Sequence, residues 1–193
     1  MSFEFDISIV CPEDPTATPE RIEQYKEYYK VKYEICKAQD PKVIAEIGVR
    51  AGYSAWTFLQ ACPNAKYFGY DANNGTHGGQ GGEDGKFSAW AKKILADYDI
   101  RLADVDTQKV NDLPIGGVDL FHVDGDHTFN GVMHDLDLAF DSISEYGLIL
   151  IDDITYIDSV RAGVYEWIRD HRDKVSNEFV ESLRGEMLIR KKK

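Results

Sequence analysis

Short apolar runs alternate with longer segments of helical periodicity from residue 42 onward. The longer segments, SAWTFLQAC, FSAWAKKILADY and VMHDLDLAFDSI, carry apolar residues at helical spacing. Strands that alternate with helices in this way form a parallel sheet with helices on both faces. The pattern therefore predicts an α/β fold with a doubly wound sheet, whose parallel strands are VIAEIGV, KYFGYD, IRLADV, VDLFHVD and GLILIDDI.

Two further strands complete the predicted sheet. The segments EFVESLR and EMLIRK follow a last long helix, SVRAGVYEWIRDHRDKV, and little more than Gly185 separates them. A parallel crossover needs about a dozen residues or more, so these strands can pair only as an antiparallel hairpin. We predict a mostly parallel, seven-stranded sheet with a C-terminal antiparallel hairpin.

Composition and charge limit the class of partner. The 34 acidic residues exceed the 22 basic ones and give a net charge of −12. A field of this sign repels nucleic acid, so we expect a small-molecule substrate and no nucleic-acid partner. The first residues show neither a basic n-region nor a long apolar run, which favours a cytoplasmic location without membrane association. The cysteines, odd in number and widely spaced, are expected to be reduced and without a catalytic role.

Acidic residues end the predicted parallel strands. In open α/β sheets, ligand crevices form at the carboxyl ends of the strands, where the strand order reverses. A single acid at such a position is often a helix cap or a solvated loop end, but a whole set at one rim indicates a binding site. The set is Glu46, Asp71, Asp106, Asp124, Asp152 and Asp153.

The turn after the first strand narrows the class of ligand. Gly48 and Gly52 lie four residues apart, which lets the backbone pass close beneath a ligand at the start of a helix. The spacing is not the GxGxxG of pyrophosphate sites, and the GK[ST] of triphosphate loops is absent. Glu46 would repel phosphate but can pair with a cation, and Asp71 is placed to accept both hydroxyls of a ribose. S-adenosylmethionine is a cationic nucleoside without phosphate.

These motifs resemble those of the class I S-adenosylmethionine-dependent methyltransferases. AEIGVRAGYS is similar to the family's first motif, FGYDAN to its acidic second motif, and VDLFHVDGDH and LILIDDI to its fourth and fifth. The resemblance covers roughly residues 42–190. It implies an S-adenosylmethionine-binding methyltransferase domain over residues 42–193, with residues 1–41 forming an N-terminal segment and helix that cap the substrate.

The resemblance also implies individual contacts with the cofactor. Gly48 and Gly52 would pass under its methionine portion, with Glu46 beside it. ADVDTQ is similar to the ADSQ stretch of related enzymes, which places Asp106 near the adenine amino group; Asp104 is the competing register. The full expected set is Glu46, Gly48, Gly52, Ser54, Asp71, Asp106, Thr107 and Asp124.

Within the class, the chain resembles small-molecule O-methyltransferases of two kinds. DGDHTFNGVMHDL is similar to the macrocin-type branch, although EYG at 145–147 stands where that branch has PGG. The acids after the fourth and fifth predicted strands, Asp124, Asp152 and Asp153, match those of the metal-dependent catechol and caffeoyl-coenzyme A enzymes. Here an Asp stands where those enzymes have an amide. This likeness implies magnesium, or another divalent cation, held by Asp124, Asp152 and Asp153.

His127 occupies the position where those phenol methyltransferases have a lysine. Imidazole, with an ordinary pKa of about 6.5, is a better base at neutral pH than lysine at about 10.4. His127, beside Asp124, is therefore the candidate catalytic base; the alternative is that it caps a helix or only touches the cofactor. His122 is expected to be a buried structural histidine. The glycine-rich loop at 73–85 is either a lid over the site or a passive insertion.

The expected function is methyl transfer from S-adenosylmethionine to a hydroxyl of a sugar, catechol or polyketide-like molecule, with magnesium assistance. Two alternatives stay open: metal-independent methylation of a small molecule, and a nucleoside-binding module that has lost catalysis. Few residues are free to shape the acceptor pocket, so a neighbouring subunit of a homo-oligomer is a possible contributor.

Overall fold

The structure, a computed structural model, describes residues 3–75 and 85–193. Within these ranges the helices are α1 (Pro19–Gln39), α2 (Tyr53–Ala61), α3 (Lys86–Ile94), α4 (Phe129–Ser142) and α5 (Asp158–Asp170). The strands are β1 (Val43–Ile47), β2 (Lys66–Asp71), β3 (Ile100–Asp104), β4 (Val118–Val123), β5 (Ile143–Ile151), β6 (Val175–Val180) and β7 (Glu186–Lys191).

The described strands form one sheet in the order β3-β2-β1-β4-β5-β7-β6. Strands β1 to β5 pair in parallel, and β7 runs antiparallel to both β5 and β6. The order reverses between β1 and β4, which opens a crevice at their carboxyl ends. The predicted fold class, a mostly parallel seven-stranded sheet with a C-terminal antiparallel hairpin, is confirmed.

Helices cover both faces of the sheet. Because side chains alternate along a strand, neighbouring residues of β1 enter different cores. Ile44 packs with residues of α1, α2 and α3, whereas Ala45 packs with residues of α4 and α5. The sheet is thereby held from both sides, and its carboxyl edge is a fixed platform for side chains.

Thr18 followed by Pro19 predicts a helix from about 19 to 38. Helix α1 matches this range to within one residue. The hydroxyl of Thr18 caps its first turn, and Asp40 ends it in the left-handed conformation. Tyr25 and Tyr29 pack against Phe5, with ring centroids 5.8 and 4.7 Å away. Tyrosines at three-and-four spacing are typical of a packing face, and these contacts confirm that α1 packs through them.

Helix α5 ends at Asp170, earlier than the predicted end at Val175. The ring of His171 stacks on Trp167 at 4.0 Å between centroids, and the backbone turns after it. Val175 then begins β6 opposite Lys191 and is buried there. Pairing in the hairpin therefore buries this valine.

Two further expectations concern membrane association and the glycine-rich loop. Among the residues that the structure describes, no helix is long and apolar enough to cross a membrane. The glycine-rich loop lies outside the described residues from 76 to 84, so its role as a lid stays a prediction.

Candidate active site

A cavity of about 350 Å³ opens at the carboxyl edge of the parallel strands. It lies where the strand order reverses, and α1 together with the segment before it covers one side. Of the site residues predicted from the sequence, those that line the cavity are Gly48, Ser54, Asp71, Thr107, Asp124, His127 and Asp153. Those outside its lining are Glu46, Gly52, Asp106 and Asp152.

The two glycines of the first turn allow close backbone approaches. Gly48 has a φ of +91°, and a Cβ there would lie 1.8 Å from the carbonyl oxygen of Asp124. Gly52 precedes α2 with a φ of +82°, and its Cβ would lie 3.0 Å from that of Ala91. Left-handed φ values and these contacts both favour glycine. The first turn can therefore pack directly against the end of β4, and the backbone of the turn faces the cavity.

Asp71 is anchored at both carboxylate oxygens. Its Oδ2 accepts a hydrogen bond from the backbone amide of Arg50 at 2.7 Å, and its Oδ1 accepts one from the amide of Asn73 at 2.7 Å. A carboxylate oxygen has two lone pairs, so each oxygen retains acceptor capacity toward the cavity. This geometry suits an acid that accepts the two hydroxyls of a ribose.

An ion pair fastens the N-terminal segment to the cavity edge. Both terminal nitrogens of Arg50 donate to Asp14 at 2.7 Å, and the hydroxyl of Tyr53 donates to it at 3.1 Å. Burial works to raise the pKa of Asp14, but Arg50 outweighs it and holds this pKa below the ordinary value. The sequence pattern did not identify this contact, which places residues before α1 beside the first turn.

Glu46 lies beneath the cavity, whereas the resemblance places it beside the cofactor. It is fully buried and accepts hydrogen bonds from the hydroxyls of Ser54 and Tyr67. Its Oε1 also lies 2.7 Å from Nδ1 of His122, which is fully buried as expected. These contacts hold Glu46 below the cavity lining, where its hydrogen bond with Ser54 stabilises the start of α2.

The predicted adenine contacts separate in the structure. Thr107 lines the cavity and donates to buried Asp135 at 2.7 Å, and burial raises the pKa of Asp135 to about 6. Asp106 caps the short 3₁₀ turn that contains Thr107 and pairs with Lys109 at 2.9 Å. Asp104 accepts a hydrogen bond from the side chain of Asn73. Neither of the two competing acids lines the cavity.

His127 lies between two acids of the cavity. Its Nε2 is 3.4 Å from Asp124 Oδ1 and 3.6 Å from Asp153 Oδ2. Burial lowers the pKa of His127, but Asp124 and Asp153 outweigh it and raise this pKa to about 9. Although Asp124 is buried, its contact with His127 lowers the pKa of Asp124 to about 2. Burial and the neighbouring Asp152 raise the pKa of Asp153 to about 7. The imidazole is therefore mostly protonated at neutral pH.

Asp152 faces a buried lysine rather than the cavity. Its Oδ2 lies 3.3 Å from Nζ of Lys32, a fully buried residue of α1, and accepts a hydrogen bond from the hydroxyl of Tyr28. Its Oδ1 accepts from the backbone amide of Asp153 at 2.8 Å. The three predicted metal ligands thus have different surroundings: Asp152 points inward, while the other two contact His127.

Arginine and tyrosine side chains line the part of the cavity next to α1. Arg184, in the β6–β7 connection, lies over the rings of Tyr28 and Tyr156 at 5.1 and 5.2 Å from their centroids. Its Nη1 is 3.3 Å from Asp153 Oδ1. Arg21 donates to the hydroxyl of Tyr156 at 3.2 Å. Hydrogen-bond donors and aromatic faces therefore dominate this side.

Lys32, Tyr28 and Arg184 were not identified from the sequence. Lys32 follows the tyrosines of α1 at helical spacing, and a lysine within an apolar stripe is a readable signal of a buried charge. Arg184 has no comparable signal, because it stands in a connection whose course depends on the hairpin.

Residues 45–154 match the model of a family described as a methyltransferase domain. The matched segment is more than half of the chain and contains the first turn, Asp71 and the acids after β4 and β5. The chain belongs to this methyltransferase family. The assignment to the methyltransferases made from the sequence motifs is thereby confirmed, and the chain is an enzyme of this kind.

The methyltransferase shares its fold with solved structures of other methyltransferases. PaMTH1 of Podospora anserina, bound to SAH, has a TM-score of 0.67 and 16% identity over 92% of this chain and 84% of that one. An O-methyltransferase of Bacillus cereus in complex with SAH has a TM-score of 0.65 and 14% identity over 94% and 84%. TomG of Streptomyces achromogenes, involved in tomaymycin synthesis and bound to SAM, has a TM-score of 0.63 and 14% identity over 94% and 83%. No curated protein matches the methyltransferase significantly.

Proposed function

We propose that this methyltransferase transfers the methyl group of S-adenosylmethionine to a hydroxyl group of a small molecule. The observation that carries the proposal is a single cavity that joins Gly48 and Asp71 on one side to His127 and Arg184 on the other. Two of the structural neighbours named above are described as O-methyltransferases, and all three are bound to SAH or SAM.

The cavity divides into two halves with different chemistry. In the first half, the anchored carboxylate of Asp71 would bind the ribose, Thr107 would lie at the adenine, and Gly48 would pass under the methionine portion. In the second half, the tyrosines of α1 and Arg184 would bind the acceptor. Asp124 lies between the halves, beside His127. We infer that the sulfonium methyl and the acceptor hydroxyl meet at this boundary.

We assign proton acceptance to His127. In a direct transfer, the oxygen–carbon bond forms as the carbon–sulfur bond breaks, and the hydroxyl proton passes to the imidazole. The ring must be neutral for this step, so the raised pKa of His127 predicts faster transfer at alkaline pH. Asp124 and Asp153 would stabilise the imidazolium that forms.

The three-acid magnesium shell implied by the resemblance does not fit this arrangement. Potential ligand atoms come within 4.8 Å of one another in two separate trios among the described residues: His122, Asp124 and Asp152, and Asp124, His127 and Asp153. Lys32 already contacts two members of the first trio. Magnesium prefers about six oxygen ligands, and neither trio offers three acids. We therefore propose that the transfer proceeds without a metal, with Asp124 and Asp153 acting through His127.

Metal-assisted transfer is the second candidate. It is favoured by the second trio, Asp124, His127 and Asp153, because all three residues line the cavity. A divalent cation bound there would act as a Lewis acid on the acceptor hydroxyl. His127 would then be a ligand and no longer the base.

A methyl-acceptor screen tests the proposal. The protein is incubated with S-adenosylmethionine and pools of sugars, catechols and polyketides, with magnesium or with excess chelator, and products are measured by mass spectrometry. We expect S-adenosylhomocysteine and a methyl ether in equal amounts, unchanged by the chelator and lost in Asp71→Ala. Turnover that requires magnesium supports the second candidate. Tight cofactor binding without a methylated product in any pool indicates a nucleoside-binding module and contradicts both.

A further inference from the structure

Lys32 lies at the centre of a buried polar cluster between α1 and the sheet. The other members are His122 on β4, Asp152 at the end of β5 and Glu186 on β7, and each of the four is at most 1% exposed. An isolated ammonium group in such surroundings is strongly unfavourable, so its partners are what make it possible.

The ammonium group of Lys32 donates a hydrogen bond to Glu186 and lies against His122 and Asp152. Nζ lies 3.0 Å from Nε2 of His122, 3.3 Å from Oδ2 of Asp152 and 3.2 Å from either oxygen of Glu186. Burial lowers the pKa of Lys32, but Asp152 and Glu186 outweigh it and raise this pKa above the ordinary value. Burial and Asp152 raise the pKa of Glu186 to about 8. Two buried carboxylates, those of Asp152 and Glu186, thus lie against this one ammonium group.

His122 is oriented in the manner of a metal-binding histidine. Its Nδ1 lies 2.7 Å from Oε1 of Glu46, and its Nε2 lies 3.0 Å from Nζ of Lys32. An ammonium group can only donate, so Nε2 presents its lone pair and Nδ1 carries the hydrogen that Glu46 accepts. Histidines that bind metals make the same hydrogen bond to a carboxylate through their other nitrogen. Here the lone pair faces Lys32.

We propose that Lys32 is an internal cation that fills a metal-type site, so that the chain neutralises Asp152 and orients His122 with its own charge. This proposal rests on the proposed function, which is methyl transfer without a metal. Tyr28 shares the carboxylate of Asp152 with Lys32, so the same cation also fixes an acceptor-side tyrosine. Lys32 is a positioning residue.

Removal of the ammonium group should turn the cluster into a cation site. We would titrate tag-free wild-type protein and four variants with Co²⁺ alone, using calorimetry and the visible absorption of coordinated cobalt. Lys32→Ala leaves the imidazole and carboxylate donors with space beside them, and we expect it to bind Co²⁺ at least about tenfold more tightly than wild type. Lys32→Arg retains the charge and Lys32→Met fills the space, so neither should gain binding. Adding Asp152→Asn to Lys32→Ala should abolish the gain.

Other outcomes overturn the proposal. A folded Lys32→Ala variant that binds Co²⁺ no more tightly than wild type contradicts the proposal. Wild-type protein that binds Co²⁺ through Asp152 as tightly as Lys32→Ala does also contradicts it. If Lys32→Ala folds only in the presence of Co²⁺, the rescue supports the proposal, and a failure to fold with Co²⁺ contradicts it. The titrations contain no S-adenosylmethionine and no acceptor, so they are independent of the screen for methyl transfer.

Discussion

The pH dependence of methyl transfer should follow the ionisation of His127. The acids beside this ring raise its pKa to about 9 against the effect of burial. Compared with an ordinary value of about 6.5, this favours the imidazolium by roughly 3 kcal/mol. Only the neutral ring accepts a proton, so about 3% of the molecules are competent at pH 7.5. The rate should rise nearly tenfold per pH unit and level off above about pH 9.

Removing one of the acids should move this profile in a known direction. Asp153 Oδ2 lies 3.6 Å from Nε2 of His127, so Asp153→Asn removes a nearby negative charge. We expect the midpoint of the profile to fall by about one pH unit, or about 1.4 kcal/mol. Asp170→Asn is the matched control, because it removes the same charge from a residue outside the cavity lining.

The assay measures S-adenosylhomocysteine between pH 6 and 10, with saturating cofactor and an acceptor found by the screen. His127→Gln should lose the ionisation step and lower the plateau by about 10²–10⁴-fold, the usual contribution of a positioned base. A wild-type midpoint near pH 6.5 would refute the electrostatic reasoning. A His127→Gln variant with the wild-type profile and less than about tenfold loss would refute the assignment of the base.

Three further predictions concern stability. S-adenosylmethionine at about 100 times its Kd should stabilise the protein by about 2.7 kcal/mol in thermal denaturation, whereas NADH should not. The same stabilisation by S-adenosylmethionine in Asp71→Ala would contradict the ribose contact. Gly48→Ala should cost about 3 kcal/mol or more in urea denaturation, because its Cβ would meet a backbone carbonyl, whereas Gly116→Ala enters open space and should be near neutral. The stabilisation from His127 should be complete below about pH 6.5 and lost as the pH rises through about 9, a dependence that His127→Gln should lack.

The sequence located the strand ends but not the direction of each side chain. Asp71 is the last residue of β2, and crevices form at the carboxyl ends of parallel strands, so its place at the cavity edge was predictable. Asp152 and Asp153 are adjacent, and both were expected at the same cation. The chain turns at Asp153, where φ is +63°, so that one carboxylate faces the cavity and the other the interior. Local patterns do not contain such a turn.

Contacts between distant elements were harder to predict than the strand ends. The periodicity of α1 predicts which side of the helix packs, yet the partners of Lys32 depend on how the helix crosses the sheet. The choice between Asp104 and Asp106 depends likewise on a short 3₁₀ turn after β3, and neither acid lines the cavity. Both outcomes follow from tertiary packing, which overrides local preference.

The place of β7 in the sheet has a consequence for synthesis on the ribosome. This strand is made after β6 but lies between β5 and β6, so β6 cannot join the sheet until β7 has emerged. Arg184, which lines the cavity, and Glu186, a partner of the buried Lys32, emerge at the same stage. A nascent chain that stops before β7 would leave the edge of β5 unpaired and prone to aggregation. Enzymatic activity should therefore appear in one step, once β7 has emerged, and not accumulate gradually as the earlier βα units fold.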